Sequence, residues 1–257
     1  MILIKLGGSI ISDKEKPFSF NVQIVKNIAR EIKKFYPSKE FIIVHGGGSF
    51  GHPLAKKYGI RDGINGMDIK KMQGISYTHE AMLDLNKMII NIFLEEELPA
   101  FSISPSSIFI INNGNIVYGE IKVLKELLKR KFIPVLFGDV AVSEDKGMDI
   151  LSGDQIMAYL ANEMAVEKAI FLMDVDGIYD GNPREGAKLI EEINEDVKID
   201  AVQGKFDVTG GIKNKLEEAL KMDCMVYFIN GMKKGNLTKA IEGKKVGSMK
   251  KERIFRK

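Results

Sequence analysis

FIIVHGGGSFGHP, Phe41 to Pro53, is the stretch from which the rest of the chain can be read. Four apolar residues, Phe41 to Val44, predict a buried strand. His45 follows, then Gly46, Gly47 and Gly48, then Ser49, Phe50, Gly51 and His52, and Leu54 to Tyr58 read as helix. A strand that breaks into glycine and then opens a helix is how α/β proteins hold an anionic group. Glycine lets backbone N–H groups converge, and the helix N-terminus adds favourable partial charge. The stretch is neither G-x-G-x-x-G nor G-x-x-x-x-G-K-[ST], so it is neither the dinucleotide fingerprint nor the ordinary P-loop. A tight strand-to-helix turn without a ligand would use the same glycines, and the remainder of the chain has to decide between the two.

The bulk composition sets the frame. At 257 residues, with 45% hydrophobic and 28% charged residues, the chain fits one large α/β domain or two small ones with a full core. A net charge of +3 is too small to argue for nucleic acid, and no basic run changes that. The lone cysteine, Cys224, excludes an internal disulfide and a cysteine-based metal site and fits a reducing compartment. The chain opens on a strand rather than on a signal-peptide pattern, so a cytoplasmic setting is expected. No apolar run approaches the ~20 residues of a membrane span, and no membrane partner is expected.

Outward from the glycine triplet, strands and helices alternate. Met1 to Leu6 reads as a buried parallel strand that ends in Lys5-Leu6-Gly7-Gly8-Ser9, with Asp13 and Lys14 in the loop beyond. Val22, Ile24, Val25, Ile28, Ala29, Ile32 and Phe35 recur at helical spacing. Met67 to Leu94 reads as one or two long helices, with Met72, Ile75 and Met82 as core or as the wall of an apolar pocket. Pro99 to Ser104 predicts a short strand. Two hairpins follow, one around Asn112 to Asn115 and one around Ser143 to Gly147, with a helix from Ile121 and a strand at Phe132 to Phe137 between them. Ser152 or Asp154 caps the next helix. Ala169 to Met173 is a strand ending in Asp174-Val175-Asp176-Gly177. Thr209-Gly210-Gly211 is a third glycine break, opening a helix with Lys213 and Lys215. Met225 to Ile229, Val246 to Met249 and Arg253 to Phe255 would complete the sheet. The chain has no internal repeat and no linker. It reads as a single α/β domain, residues 1–257: a three-layer αβα sandwich with a mostly parallel central sheet.

Three glycine breaks at one sheet edge supply clustered N–H groups for several phosphates, and ligands bind at that edge in open α/β sheets. Lys5, Lys14 and Lys215 add mobile positive charge. Phosphoryl transfer needs positioning and charge neutralisation more than covalent help, so this constellation suits it.

These residues carry a resemblance. KLGGS near the start, the HGGG loop, SGD at Ser152 to Asp154, MDVDGIY at Met173 to Tyr179, and TGGI with a lysine three residues on resemble the amino acid kinase superfamily in order and over nearly the whole chain. Within it, SDK at Ser12 to Lys14 and GSFGHP ending in His52 and Pro53 resemble the isopentenyl phosphate kinases of archaea. The resemblance implies ATP-dependent phosphorylation of isopentenyl phosphate to isopentenyl diphosphate, in an alternative mevalonate route. It implies Lys5, Gly7, Gly8, Ser9, Gly48, Asp174, Tyr179, Gly210 and Lys215 as ATP-binding residues. Lys14 would bridge the transferring phosphoryl group, and Gly47 and Gly48 would offer amides on the two sides of the transfer. His52 would hydrogen-bond the substrate phosphate, Gly153 would line its site, and Asp154 would hold the lysines by ion pairing. It also implies that residues 1–150 mainly bind the acceptor and residues 151–257 mainly ATP, and that the chain is a homodimer. TGGI stands where several relatives have TGGM.

A phosphate acceptor also follows from chemistry. A phosphate monoester with a second pKa of about 6 is largely a dianion at neutral pH, so it needs shielding rather than a strong base. His52 suits that as a donor; His45 and His79 read as structural. No His/Asp/Glu spacing marks a dedicated metal site, so Mg²⁺ would be held mainly by the ATP phosphates. Other acceptors on the same scaffold stay open: a fosfomycin-type phosphonate, glutamate, or UMP. So does a non-catalytic nucleotide-binding protein, although a mere binder has no need of charge at the transfer point.

Overall fold

The structure, a computed structural model, describes every residue except 14, 65, 195–210 and 252–257. Strands β1 (Ile2–Leu6), β2 (Phe41–His45), β3 (Ala100–Ser102), β6 (Ile133–Phe137), β9 (Lys168–Met173), β10 (Glu192–Ile193), β11 (Met225–Asn230) and β12 (Ser248–Lys250) form one sheet in the order β10-β12-β11-β9-β1-β2-β6-β3. Every pairing in it is parallel except β11 with β12. The helices are α1 (Gly8–Ile11), α2 (Val22–Lys33), α3 (Gly48–Lys57), α4 (Ile69–Glu95), α5 (Lys122–Lys129), α6 (Gly153–Glu163), α7 (Gly211–Leu220) and α8 (Asn236–Ile241). None is long and apolar enough to cross a membrane.

Strand periodicity of two sorts side chains to the two faces. Ile2, Ile4 and Leu6 share a buried cluster with Ile10 and Ile11 of α1, Val25 and Ile28 of α2, Leu85 and Ile89 of α4, and Leu237 of α8. Leu3, Ile42 and Val44 share another with Leu124 of α5, Ile156 and Leu160 of α6, and Leu216 of α7. The result is the expected three-layer sandwich. Phe41, Phe137, Phe171, Phe228 and Tyr227 are all but fully buried. Each such side chain contributes about 1.5–3 kcal/mol by leaving water.

Two features depart from the sequence reading. Both predicted hairpins form, but they join in a separate four-stranded sheet, β5-β4-β7-β8, from β4 (Phe109–Asn112), β5 (Asn115–Gly119), β7 (Asp139–Ser143) and β8 (Gly147–Leu151). β4 and β7 pair in parallel, a long-range contact that no local pattern encodes. In addition, α3 starts at Gly48 rather than near Leu54. Glycine and Pro53 are poor helix formers, so local propensity hides this first turn. The predicted strand at residues 253–255 lies outside the described residues.

Candidate active site

The site stands where the parallel strands end. Four glycines leave these strands, and each donates its N–H to a neighbouring strand: Gly138 to His45 O (2.9 Å), Gly46 to Leu6 O (3.0 Å), Gly7 to Leu172 O (3.1 Å) and Gly231 to Met173 O (2.9 Å). Gly7 and Gly46 thus commit their amides to the sheet edge, and the loops begin beyond them. Those loops touch. A Cβ on Gly8 would lie 2.8 Å from Gly48 N. Gly48 has φ +48°, and a Cβ there would lie 2.0 Å from Ser12 Oγ. Only glycine permits this approach of the first two breaks. The third break falls largely outside the described residues, Gly210 included; Gly211 opens α7.

On the α6 face of β1, Leu3 is followed two residues later by Lys5. Ser152 caps α6 in a reciprocal pair with Gln155: Gln155 N donates to Ser152 Oγ (3.2 Å) and Ser152 N to Gln155 Oε1 (2.7 Å). Ser152 therefore takes the cap, and Asp154 in the first turn is left for other partners. Its carboxylate lies 2.5 Å from Lys5 Nζ and 3.1 Å from Lys215 Nζ of α7. All three side chains are largely buried, at 13%, 7% and 14% exposure. Lys215 Nζ also stands 5.5 Å from the centroid of the Phe171 ring. Burial, only partly offset by Asp154, lowers the Lys5 pKa to about 7. Burial acts to raise the Asp154 pKa, but the two lysines outweigh it and hold the carboxylate at about 2. Gly153 packs over this pair: a Cβ there would lie 3.2 Å from Lys5 Cε. This cluster is a reserve of positive charge at the edge where the glycine loops meet.

One face of α4 supports the HGGG loop. Met82 Sδ would lie 3.4 Å from a Cβ on Gly47 and 2.7 Å from one on Gly51. Asn86 Oδ1 lies 3.3 Å from Nε2 of buried His45, whose Nδ1 donates to Gly46 O at 3.0 Å. Burial lowers the His45 pKa to about 4, so the ring is neutral and structural, as read from sequence. His79 does more than sequence indicates: Nδ1 lies 2.9 Å from the Asp139 carboxylate, which is fully buried and also accepts Val140 N at 2.8 Å. The bond to Asp139 raises the His79 pKa. Asp139 follows Gly138, which packs on Gly153 with a Cβ-to-amide distance of 3.1 Å. The pair thus ties α4 to the wall of the site. Beyond it Ile60, Ile75 and Val140 form a small apolar cluster, with Ile150 partly buried against it.

Ser9 Oγ donates to Asp174 at 2.9 Å, so the ends of β1 and β9 carry these two expected nucleotide ligands side by side. Tyr179 is half-buried and bridges to Leu189. His52 is exposed on α3, one residue beyond Gly51. Lys14 lies outside the described residues. Its neighbours are fixed: Asp13 N donates to Ser19 Oγ (2.8 Å) and Glu15 N to Asp13 Oδ1 (3.0 Å). Among the described residues no three His, Cys, Asp or Glu side chains gather to hold a metal ion.

A large parallel sheet, glycine loops crowded at its C-terminal edge, and two lysines on one buried carboxylate define a phosphate-handling α/β protein. The sequence profile of the Amino acid kinase family matches residues 1–222, and the chain belongs to that family. Within the family it stands with the isopentenyl phosphate kinases. It is 37% identical to the isopentenyl phosphate kinase of Methanocaldococcus jannaschii over 96% of this chain and 97% of the relative. A crystal structure of an isopentenyl phosphate kinase superposes with a TM-score of 0.84 at 30% identity, covering 97% of this chain and 99% of the other. The product complex of the Thermoplasma acidophilum isopentenyl phosphate kinase superposes with a TM-score of 0.81 at 28% identity, covering 98% and 100%.

Proposed function

We infer that the protein transfers the γ-phosphoryl group of ATP to isopentenyl phosphate, giving isopentenyl diphosphate and ADP. The carrying observation is the Lys5–Asp154–Lys215 cluster at the edge where the Gly8 and Gly48 loops meet. A positioned, partly compensated positive charge beside backbone amides is what a transferring phosphoryl group requires. The acceptor is read from the near full-length likeness to isopentenyl phosphate kinases.

In this reading Lys5, Lys215, Gly210 and the loop from Gly8 to Ser9 receive the ATP phosphates, with Asp174 and Tyr179 near the nucleotide. Asp154 keeps both lysines at working distance. Gly47 and Gly48 flank the transfer, Lys14 follows the transferring group, and His52 with Gly153 receives the acceptor phosphate. An acceptor phosphate oxygen forms the new P–O bond as the bond from the γ-phosphorus to the bridging oxygen breaks. The hydrocarbon end is directed along α4 towards Ile75 and Val140. Residues 1–150 then serve mainly the acceptor and residues 151–257 mainly ATP. Mg²⁺ would be held mainly by the ATP phosphates and would supply charge neutralisation there. We also propose a cytoplasmic homodimer. The support for dimerisation is the edge strand β3, where Phe101 is 46% exposed and packs edge-on against Phe132, 37% exposed.

The test is ADP formation with Mg-ATP and, in turn, isopentenyl phosphate, dimethylallyl phosphate, a longer prenyl phosphate, fosfomycin, glutamate and UMP. Turnover of isopentenyl phosphate far above the last three is expected. Turnover of only fosfomycin, glutamate or UMP overturns the acceptor.

A further inference from the structure

Pro53 lies inside α3. It has no N–H, so the Ser49 carbonyl, four residues earlier, lacks its helical donor. That carbonyl accepts the N–H of Phe18 instead, at 3.3 Å. Phe18 has φ +55°, a left-handed conformation that bulky residues rarely adopt. Its ring stands at 90° to Phe50, centroids 5.3 Å apart. Ser49 fastens the other side of the same segment as well. Its N–H donates to Ser12 Oγ at 2.8 Å, and its hydroxyl donates to Ser19 O at 3.2 Å. Ser19 Oγ in turn donates to Asp13 O at 2.9 Å. Both ends of the segment that carries Lys14 are therefore tied to one residue of α3, the helix that also carries His52.

We propose that Pro53 is a positioning residue: by leaving the Ser49 carbonyl open, it latches the chain on both sides of residue 14 to the helix bearing His52. The left-handed Phe18 is the strained part of the latch, and strain of this kind persists only where neighbours over-determine it. The inference rests on the roles read above for Lys14 and His52. It concerns what couples them rather than which acceptor is used.

Pro53→Ala is the test. Alanine supplies an N–H that competes with Phe18 for the Ser49 carbonyl and suits a helix interior better than proline. The Phe18 amide is expected to exchange with solvent at least about tenfold faster. The kcat should fall by roughly ten- to a hundredfold, as misplacement of a catalytic group does. The KM for ATP should stay within about twofold, and Tm should hold or rise. Ser19→Ala, which loosens the segment from its other end, is expected to lower kcat in the same way. Wild-type kcat in both variants, or unchanged Phe18 exchange in Pro53→Ala, overturns the latch. So does a Tm loss that parallels the loss of kcat, which would make Pro53 merely structural. If the wild-type chain turns over no isopentenyl phosphate, the acceptor reading fails, and Phe18 exchange still decides the latch.

Discussion

The Asp154 carboxylate stands 2.5 Å from the Lys5 ammonium, joining the first turn of α6 to the last part of β1 in a largely buried ion pair. Lys215 shares the same carboxylate from α7. One acid therefore sets the position of two bases, and the net positive charge of the cluster is left to face an anion.

Asp154→Asn keeps the size of the side chain and removes its charge. Breaking a buried ion pair from one side typically costs 3–5 kcal/mol because the partner is left uncompensated. A stability loss of about 3 kcal/mol by urea denaturation is expected, together with a kcat loss of roughly a hundredfold. A variant with wild-type kcat would show that Asp154 does not position the lysines.

The Lys5 pKa of about 7 gives a pH dependence with a definite sign. Above pH 7 free Lys5 is neutral and attracts phosphate less, so kcat/KM for ATP should fall as pH rises through that value. In the unfolded chain a lysine titrates near 10.4. Between about 7 and 10.4 the folded state holds fewer protons at this site than the unfolded state, so the Lys5 contribution to stability increases with pH across that window. Lys5→Met should remove both trends. Unfolding and kinetic pH profiles of wild type and variant check this.

His79 titrates in the opposite sense. Its pKa is raised by the hydrogen bond to Asp139, so the stability this pair contributes is fully present below the unfolded value of about 6.5 and is lost as pH rises through the folded one. His79→Gln should flatten Tm against pH in that window. An unchanged profile would remove the pair from the stability of α4 on the site wall.

His52→Ala should raise the KM for isopentenyl phosphate by about tenfold, the loss of about 1.4 kcal/mol expected for one charge-assisted hydrogen bond. The ATP KM should change little. Initial rates with each substrate varied separately distinguish this from a general loss; a normal acceptor KM would remove His52 from the acceptor site.

The sandwich, the order of its elements and the glycine loops are all legible in the amino-acid sequence. They are legible because they are written locally: apolar runs of strand length, helical spacing from Val22 to Phe35, and glycine where backbones crowd. The sequence also points to Lys5, Asp154 and Lys215, through the motif order of the family it resembles. Which groups meet is settled by packing in three dimensions. His79 and Asp139, 60 residues apart, pair because α4 packs against β7, the strand that opens at Asp139. The parallel contact of β4 with β7 makes a second sheet of two local hairpins. Phe18 takes the Ser49 carbonyl because Pro53 leaves it open. A local pattern records what each residue prefers, whereas the closing contacts depend on packing between distant segments, where buried polar groups must find partners or forfeit their hydration.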